Sequence, residues 1–241
     1  MTKLRIETIL CRAGTMDNYS YLLIDENTRT SAVVDPSEVA PIANKCKELD
    51  IIPDYILNTH HHFDHTDGNL DLKEIYGCKI VGAADDAYRI PGIDIQVKDG
   101  GTFSLGASNA QIIRADGHTT GHILWYFSDA KALFTGDVLF NLCIGGLFEG
   151  TVEQMFTSLN KIKQLPDDVS FYPGHEYTIH GVGFAKYLQP DSPKLQKYLS
   201  FAQERLSKGL PVSPTKLSEE KAVNPYLKAQ SVQELEKLFN I

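Results

Sequence analysis

The sequence predicts an α/β fold, two sheets with helices outside them, closed by a small all-helical C-terminal domain. Three observations carry this. Short apolar strands alternate with amphipathic helical stretches as far as Gly82. Strands separated only by turns then run from Ile93 to Phe134 before helical periodicity returns. Beyond His180 the chain changes to capped helices and scattered prolines. That order fits two packed sheets with outer helices and shows no repeat of the dinucleotide-binding type. A length of 241 residues, 42% hydrophobic and 10% aromatic, is ample for a sizeable core.

Leu4 to Leu10 alternates apolar and polar residues, as an edge or half-buried strand does. Asp17-Asn18 turns the chain into a second strand, Tyr19 to Ile24, and Ala32 to Asp35 is a short buried third. Pro36 and Ser37 open a helix with Val39, Ile42, Ala43, Cys46 and Leu49 at helical spacing, which makes Cys46 a small core residue. Tyr55 to Leu57 is the next strand. Asn69 to Tyr76 is a helix ended by Gly77, and Lys79 to Gly82 a strand. The strands of the turn-rich stretch are Ile93 to Val97, Thr102 to Leu105, Ala110 to Arg114, His122 to Phe127 and Ala132 to Phe134. Val152 to Leu165 is helical through Met155, Phe156, Leu159 and Ile162, and Val169 to Tyr172 reads as the final strand.

Ser192 and Pro193 supply an N-cap and first-turn proline for a helix with Leu195, Tyr198, Leu199, Ala202 and Leu206 inward, closed by Gly209. Pro211, Pro214 and Pro225 interrupt the next stretch. Ser231 to Glu234 is a capping-box signature for a last helix. The expected division is residues 1–178 and 179–241, the second part near the lower limit for independent stability and therefore packed on the first.

A formal charge of −8 argues against a nucleic-acid partner, which needs a basic face. Cys11, Cys46, Cys78 and Cys143 form no CxxC pair. No apolar run is long enough for a signal peptide or a membrane span. The expectation is a reduced, cytoplasmic monomer with no membrane partner.

The chemistry concentrates in Thr59-His60-His61-His62-Phe63-Asp64-His65, just after a strand. In extended backbone His60 and His62 point the same way, so they chelate one ion, while Asp64 and His65 reach a second from the turn. Imidazole and carboxylate without thiolate suit zinc, iron or manganese. Three later strand ends repeat one design of buried strand, glycine and ligand: Gly117-His118, Gly136-Asp137 and Gly174-His175. The natural allocation gives one metal His60, His62 and His118, and the other Asp64, His65 and His175, with Asp137 bridging. Two such ions about 3.5–4 Å apart share a hydroxide and polarise a carbonyl. His61 falls on the opposite face, supporting the ligands from behind or packing, His122 is structural, and His180 is exposed or lines the cleft.

The motifs HxHxDH, GHTTGH, FTGD and PGHEYT resemble those of the metallo-β-lactamase superfamily. With MDNYSYLLID, LFEGT, YPGHEYTIHGVGFAKYLQPD and VNPYLK, the wording from Asp17 to Lys228 resembles the glyoxalase II (hydroxyacylglutathione hydrolase) family. The resemblance implies an αββα sandwich with two divalent metal ions at one edge between the sheets, zinc first, iron or manganese next. It implies a metal-dependent thioester hydrolase of methylglyoxal detoxification. Such an enzyme cleaves 2-hydroxyacyl thioesters of glutathione, of the S-D-lactoylglutathione type, by binuclear-metal hydroxide attack. Asp64 ligates and orients the nucleophile, and Asp137 holds both ions. Tyr177 matches the family tyrosine that contacts the thiol moiety, and Lys228 stands where arginine is common.

Two positions depart from the family pattern. Gly146 stands where a basic residue is usual, and Phe148 where some members have a tyrosine that contacts glutathione. A missing charge-assisted bond to a carboxylate removes about 1.5–3 kcal/mol of binding. Glutathione leads as carrier, with a less anionic, trypanothione-like thiol as the alternative. A mononuclear-iron persulfide dioxygenase is the oxidoreductase alternative within the fold.

Overall fold

The computed structural model describes residues 3–240. One sheet holds β1 (Leu4–Cys11), β2 (Asn18–Asp25), β3 (Ser31–Val34), β4 (Tyr55–Leu57), β5 (Lys79–Ala83) and β6 (Ile95–Val97), in that spatial order. β1, β2 and β3 pair antiparallel, and β3 to β6 pair parallel. The other sheet holds β7 (Thr102–Leu105), β8 (Ser108–Arg114), β9 (Ile123–Phe127), β10 (Ala132–Gly136), β11 (Ser170–Pro173) and β12 (Thr215–Lys216), again in sequence order across the sheet. Here β7 to β10 are antiparallel, β10 and β11 parallel, and β12 antiparallel to β11.

Side-chain alternation along the strands builds the layers. Tyr21 and Leu23 of β2, Val34, Leu57 and Val81 face Ile112, Trp125, Phe127 and Phe134 of the other sheet, and form the core between the sheets. The opposite face of the first sheet, with Leu22, Ile24, Val33, Ile56 and Ile80, packs on Ile42 and Cys46 of α1 (Val39–Glu48). Leu72 of α3 (Asn69–Tyr76) joins that cluster. Leu124, Leu133 and Phe171 pack on Met155, Leu159 and Ile162 of α4 (Val152–Lys163). The central strands are covered on both faces, which is why β2, β9 and β10 are buried throughout. The αββα order of layers agrees with the expectation.

The C-terminal part comprises α5 (Thr178–Leu188), α6 (Pro193–Ser207), α7 (Leu217–Val223), α8 (Pro225–Lys228) and α9 (Val232–Phe239). Its own cluster of Ala185, Leu195, Tyr198, Ala202, Val212 and Val223 closes over Leu142 of the first part. Leu235 of α9 joins the α4 cluster.

Several elements differ from expectation. α1 begins at Val39 with Glu38 as N-cap, because the Ser37 N–H is donated to Ser20 Oγ and the Pro36 carbonyl accepts from Gly68. A one-turn helix, α2 (Phe63–Thr66), carries Asp64 and His65. Strand β11 is not the last: Thr215 and Lys216 pair with Phe171 and Ser170, so the C-terminal part is helical apart from this strand. The Ser192 and Ser231 caps form as expected, but Glu234 reaches the Gln230 N–H rather than closing on Ser231.

Candidate metal centre

β4 delivers Asn58, Thr59 and His60 between the sheets, where Trp125 Nε1 donates to the Asn58 carbonyl and Ile123 N–H to that of Thr59. The chain then folds back through α2. Asn18 Nδ2 donates to the Asp64 carboxylate at 2.9 Å, and Asn58 Nδ2 to the His65 carbonyl at 3.1 Å. His118 stands on the β8–β9 loop, Asp137 just past β10 and His175 just past β11.

The structure brings all the expected ligands together. Donor atoms of His60, His62, His118 and Asp137 lie within 4.8 Å of one another, as do those of Asp64, His65 and His175. Asp137 spans the two groups: Oδ2 is 3.3 Å from both His118 Nε2 and His175 Nε2, and Oδ1 is 3.3 Å from His65 Nε2.

Hydrogen bonds behind the rings fix which nitrogen points inward. A carbonyl only accepts, so His118 Nδ1–H donates to Gly146 O and His175 Nδ1–H to Met16 O, each at 2.8 Å. His65 Nδ1–H donates to Asp35 Oδ2 at 3.1 Å. Thr59 Oγ gives its own proton to Asp35 and so accepts from His60 Nδ1 at 3.0 Å. All four rings therefore turn Nε2 to the centre, whereas His62 presents Nδ1, 3.0 Å from His118 Nε2. Asp35, His60 and His65 also lie close enough for a third group. Both Asp35 oxygens are already taken by Thr59 and His65, so Asp35 orients ligands rather than joining them.

Charge follows the same division. Burial pushes the His60 imidazole well down, reinforced by His65, and burial with His118 lowers His62 to about 4. Burial also lowers His118. In the other group burial opposes the charged form, but Asp137 and Asp64 outweigh it and raise His175 to about 9 and His65 well above the usual imidazole range. Asp137 is likewise held well below the carboxylate range by His65 and His175, against the pull of its burial.

A divalent ion fits this set. His60 Nε2 and Asp137 Oδ1 are buried with no hydrogen-bond partner, although Asp137 Oδ1 lies near His65, and ring nitrogens face each other at 3.0 Å (His62 and His118) and 3.3 Å (His65 and His175). Buried polar atoms are rarely left so. Mixed imidazole and carboxylate donors are the ligands of zinc, iron and manganese.

The other histidines lie outside both groups. His61 faces Asp86 and Glu149 at 3.1 and 3.3 Å. His122 stacks behind His60 with ring centres 4.8 Å apart and accepts the Asp137 N–H. His180 is exposed, 5.1 Å from the Tyr177 ring.

Above the donors lies a cavity of about 430 Å³ walled by Met16, Phe63, Phe140, Ile144, Phe148 and Tyr177, with Gly145 and Gly146 on one side. Tyr177 stacks on His175 at 4.5 Å, and Phe148 stands edge-on to His118 at 5.1 Å. No lysine or arginine is among the lining residues. Lys228, at the end of α8, lies outside that lining and donates to Gln189 Oε1 at 2.6 Å. Sequence reasoning missed Asp35, Thr59 and Asn18. Asp35 carries a readable signal, since it too is an acid at the end of a buried strand.

The fold and the centre together define a protein of the metallo-β-lactamase class. The family description "Metallo-beta-lactamase superfamily" matches residues 14–175, and "Hydroxyacylglutathione hydrolase C-terminus" matches residues 176–240. The chain is 41% identical over 238 residues to a hydroxyacylglutathione hydrolase of Pelagibacter ubique, covering 99% of this chain and 98% of that one. It is 42% identical over 215 residues to that of Methylococcus capsulatus, covering 89% and 84%. Among solved structures, ETHE1 from Myxococcus xanthus matches with a TM-score of 0.75 at 25% identity, over 98% of this chain and 90% of that one. The BLEG-1 B3 metallo-β-lactamase matches at 0.69 and 20% identity, over 93% and 100%, a likeness of fold alone. The chain belongs to the hydroxyacylglutathione hydrolase family.

Proposed function

We propose that the protein hydrolyses 2-hydroxyacyl thioesters of glutathione, with S-D-lactoylglutathione as type substrate, to the hydroxy acid and the free thiol. The observation that carries this is the convergence of inward-turned histidine and aspartate donors beneath an apolar cavity, in a chain of this family. His60, His62 and His118 hold one divalent ion and Asp64, His65 and His175 the other. Asp137 is shared and zinc is the first choice. Ions bound there supply Lewis acidity and bring the pKa of water towards neutrality.

The chain's own residues do the rest. Asn18 fixes the Asp64 carboxylate, and the aromatic walls exclude bulk water from the acyl group. A thiolate leaves readily, so no dedicated general acid is needed. Cys143 is no competing nucleophile, because burial pushes its thiol up. Residues 1–178 form the catalytic part and residues 179–241 the part that receives the thiol carrier, with Tyr177, Phe148, Gly146 and Lys228 around the carrier. The protein acts as a monomer on a small-molecule substrate.

A panel of lactoyl conjugates, of glutathione and of cationic thiols, tests the reading. Inactivity towards all of them would sink the substrate class. Oxygen uptake with glutathione persulfide and no thioester cleavage would replace it with the dioxygenase.

The cavity lining without a cation favours a second reading for the carrier alone, a thiol with less negative charge. A Cβ on Gly146 meets only the Phe148 ring, at 3.5 and 3.7 Å, an ordinary contact that leaves the position open to substitution. Gly146→Lys is expected to lower KM for glutathione conjugates by about tenfold or more, the scale of one charge-assisted bond, with kcat little changed. An unchanged KM would mean that the carboxylates of glutathione are held elsewhere.

The two ligand groups should also part on acidification. His175 keeps its proton up to about pH 9 and His65 beyond the usual range, so a metal must displace protons there. Burial with His118 lowers His62 to about 4, and burial lowers His60 and His118 as well. As pH falls from 9 towards 5 in a chelator-buffered dialysis, the ion of the Asp64, His65 and His175 group is expected to leave first. Loss of both equivalents together would refute the division.

A further inference from the structure

The stretch from Asp137 to Gly146 joins the two halves of the centre. Asp137 begins it, and the Gly146 carbonyl that orients His118 ends it. Phe140, Ile144 and Gly145 between them line the cavity. Its own backbone order is slight: Phe140 and Cys143 form an isolated bridge, and Leu142 sits at φ +64°, a left-handed conformation that leucine rarely adopts.

The first part of the chain anchors the start of this stretch, through Thr135 to the Val138 N–H and the Leu139 carbonyl, and the C-terminal part holds its middle. Glu220 of α7 is fully buried, and its Oε2 accepts the Leu142 N–H at 2.9 Å and Asn224 Nδ2 at 3.2 Å. Its Oε1 accepts the Tyr198 hydroxyl and, at 3.4 Å, Asn141 Nδ2. Asn224 Nδ2 also faces the Phe140 and Cys143 carbonyls at 3.3 and 3.2 Å. Asn141 itself is held by Ser213 Oγ at 2.6 Å and by Thr215 Oγ at 2.9 Å.

Every partner of Glu220 is a donor, and none is a lysine, arginine or histidine. The position therefore requires an acceptor on both oxygens, which an amide of the same shape does not provide. A buried carboxylate without a cation serves general stability less well than an apolar side chain would. Two of its four partners, the Leu142 N–H and Asn141 Nδ2, lie on the loop whose ends bear on the ligand groups, and Asn224 reaches two carbonyls of the same loop.

We infer that Glu220, together with Asn224, is a positioning residue of the metal centre. From the C-terminal helices these side chains set the backbone of residues 138–146, and so hold Asp137 and the His118–Gly146 hydrogen bond in place. The inference rests on the ligand assignment proposed above.

The test uses the full chain with Glu220→Gln and Asn224→Ser. The serine keeps an oxygen to cap the Tyr226 N–H, which Asn224 Oδ1 now accepts, but loses the arm to the two carbonyls. Zinc affinity is measured by chelator competition, and amide exchange is followed along residues 138–146. Both variants are expected to fold, to bind one zinc equivalent about 10–100-fold more weakly, and to exchange faster in that stretch than in α4 or β9. Variants that melt lower but keep wild-type zinc affinity and wild-type protection there overturn the inference. So does failure of both to fold, which would make the cluster structural. If only Glu220→Gln fails, Asn224→Ser decides. Wild-type protein that binds no zinc would instead defeat the ligand assignment itself.

Discussion

Asp137→Ala is expected to lower kcat/KM by at least about 10²–10³-fold, the scale of losing one preorganised electrostatic group. The reason is position. Its Oδ2 lies 3.3 Å from one ring of each ligand group, and Oδ1 the same distance from a third ring. Without that carboxylate the two sets of imidazoles face each other with no shared anion. The same change should be visible without substrate. Asp137 is the foremost opposing influence to burial in raising His175 to about 9, so the His175 titration followed by NMR in the variant should fall towards the ordinary imidazole range. Asp137→Asn separates charge from shape and should lose nearly as much activity as alanine. Activity within tenfold of wild type in either variant would show that Asp137 is not shared.

Gly174→Ala is expected to do comparable damage while deleting nothing. A Cβ there would stand 2.2 Å from Asp137 Oδ1 and 2.7 Å from His65 Cε1, so the carboxylate, the ring or both must move. Displacements of about 1 Å at a reacting centre cost on the order of 10² in rate, and overpacking costs about 1–3 kcal/mol of stability. Gly183→Ala in α5 is the control, since nothing lies within 4 Å of its Cβ. It should leave turnover alone and, as alanine for glycine in a helix, raise stability by up to about 1 kcal/mol. A fully active Gly174→Ala would mean that the strand ends have more room than their spacing suggests.

The strand-glycine-ligand pattern was legible because the chemistry leaves no alternative at those glycines. Gly136 sits at φ +47°, with Thr59 Oγ and His122 Nε2 2.5 and 2.6 Å from where a Cβ would be, and Gly174 abuts Asp137 itself. Local signals also placed α3 from Asn69 to its glycine end, and the Ser192 cap of α6. What stayed hidden was non-local or too short. α5 reads Thr178-Ile-His-Gly-Val-Gly-Phe-Ala-Lys-Tyr-Leu188 and buries only Thr178, Gly181 and Ala185, a face of small side chains with no apolar stripe to detect. α2 is a single turn, stabilised by Asn18 and Asn58 from other elements. Asp35 acts on His65, thirty residues along the chain, and nothing around Asp35 announces that partner. Glu220 looks like one of several acids on a solvated helix, and only the packed structure shows it fully buried.

The two-residue strand β12 has a consequence for how this architecture can change. Thr215 and Lys216 occupy the outer side of β11, the strand that ends in Gly174 and His175, and so cover backbone groups that would otherwise form an open sheet margin. The neighbouring Ser213, Leu217 and Glu220 are buried against the first part of the chain. The C-terminal part is therefore no interchangeable cassette. Any substitute would have to supply a sealing strand at the correct register and a buried acid for the loop. On the proposed function, carrier preference would change more readily through single residues lining the cavity, such as Gly146 and Phe148, than through exchange of the whole part.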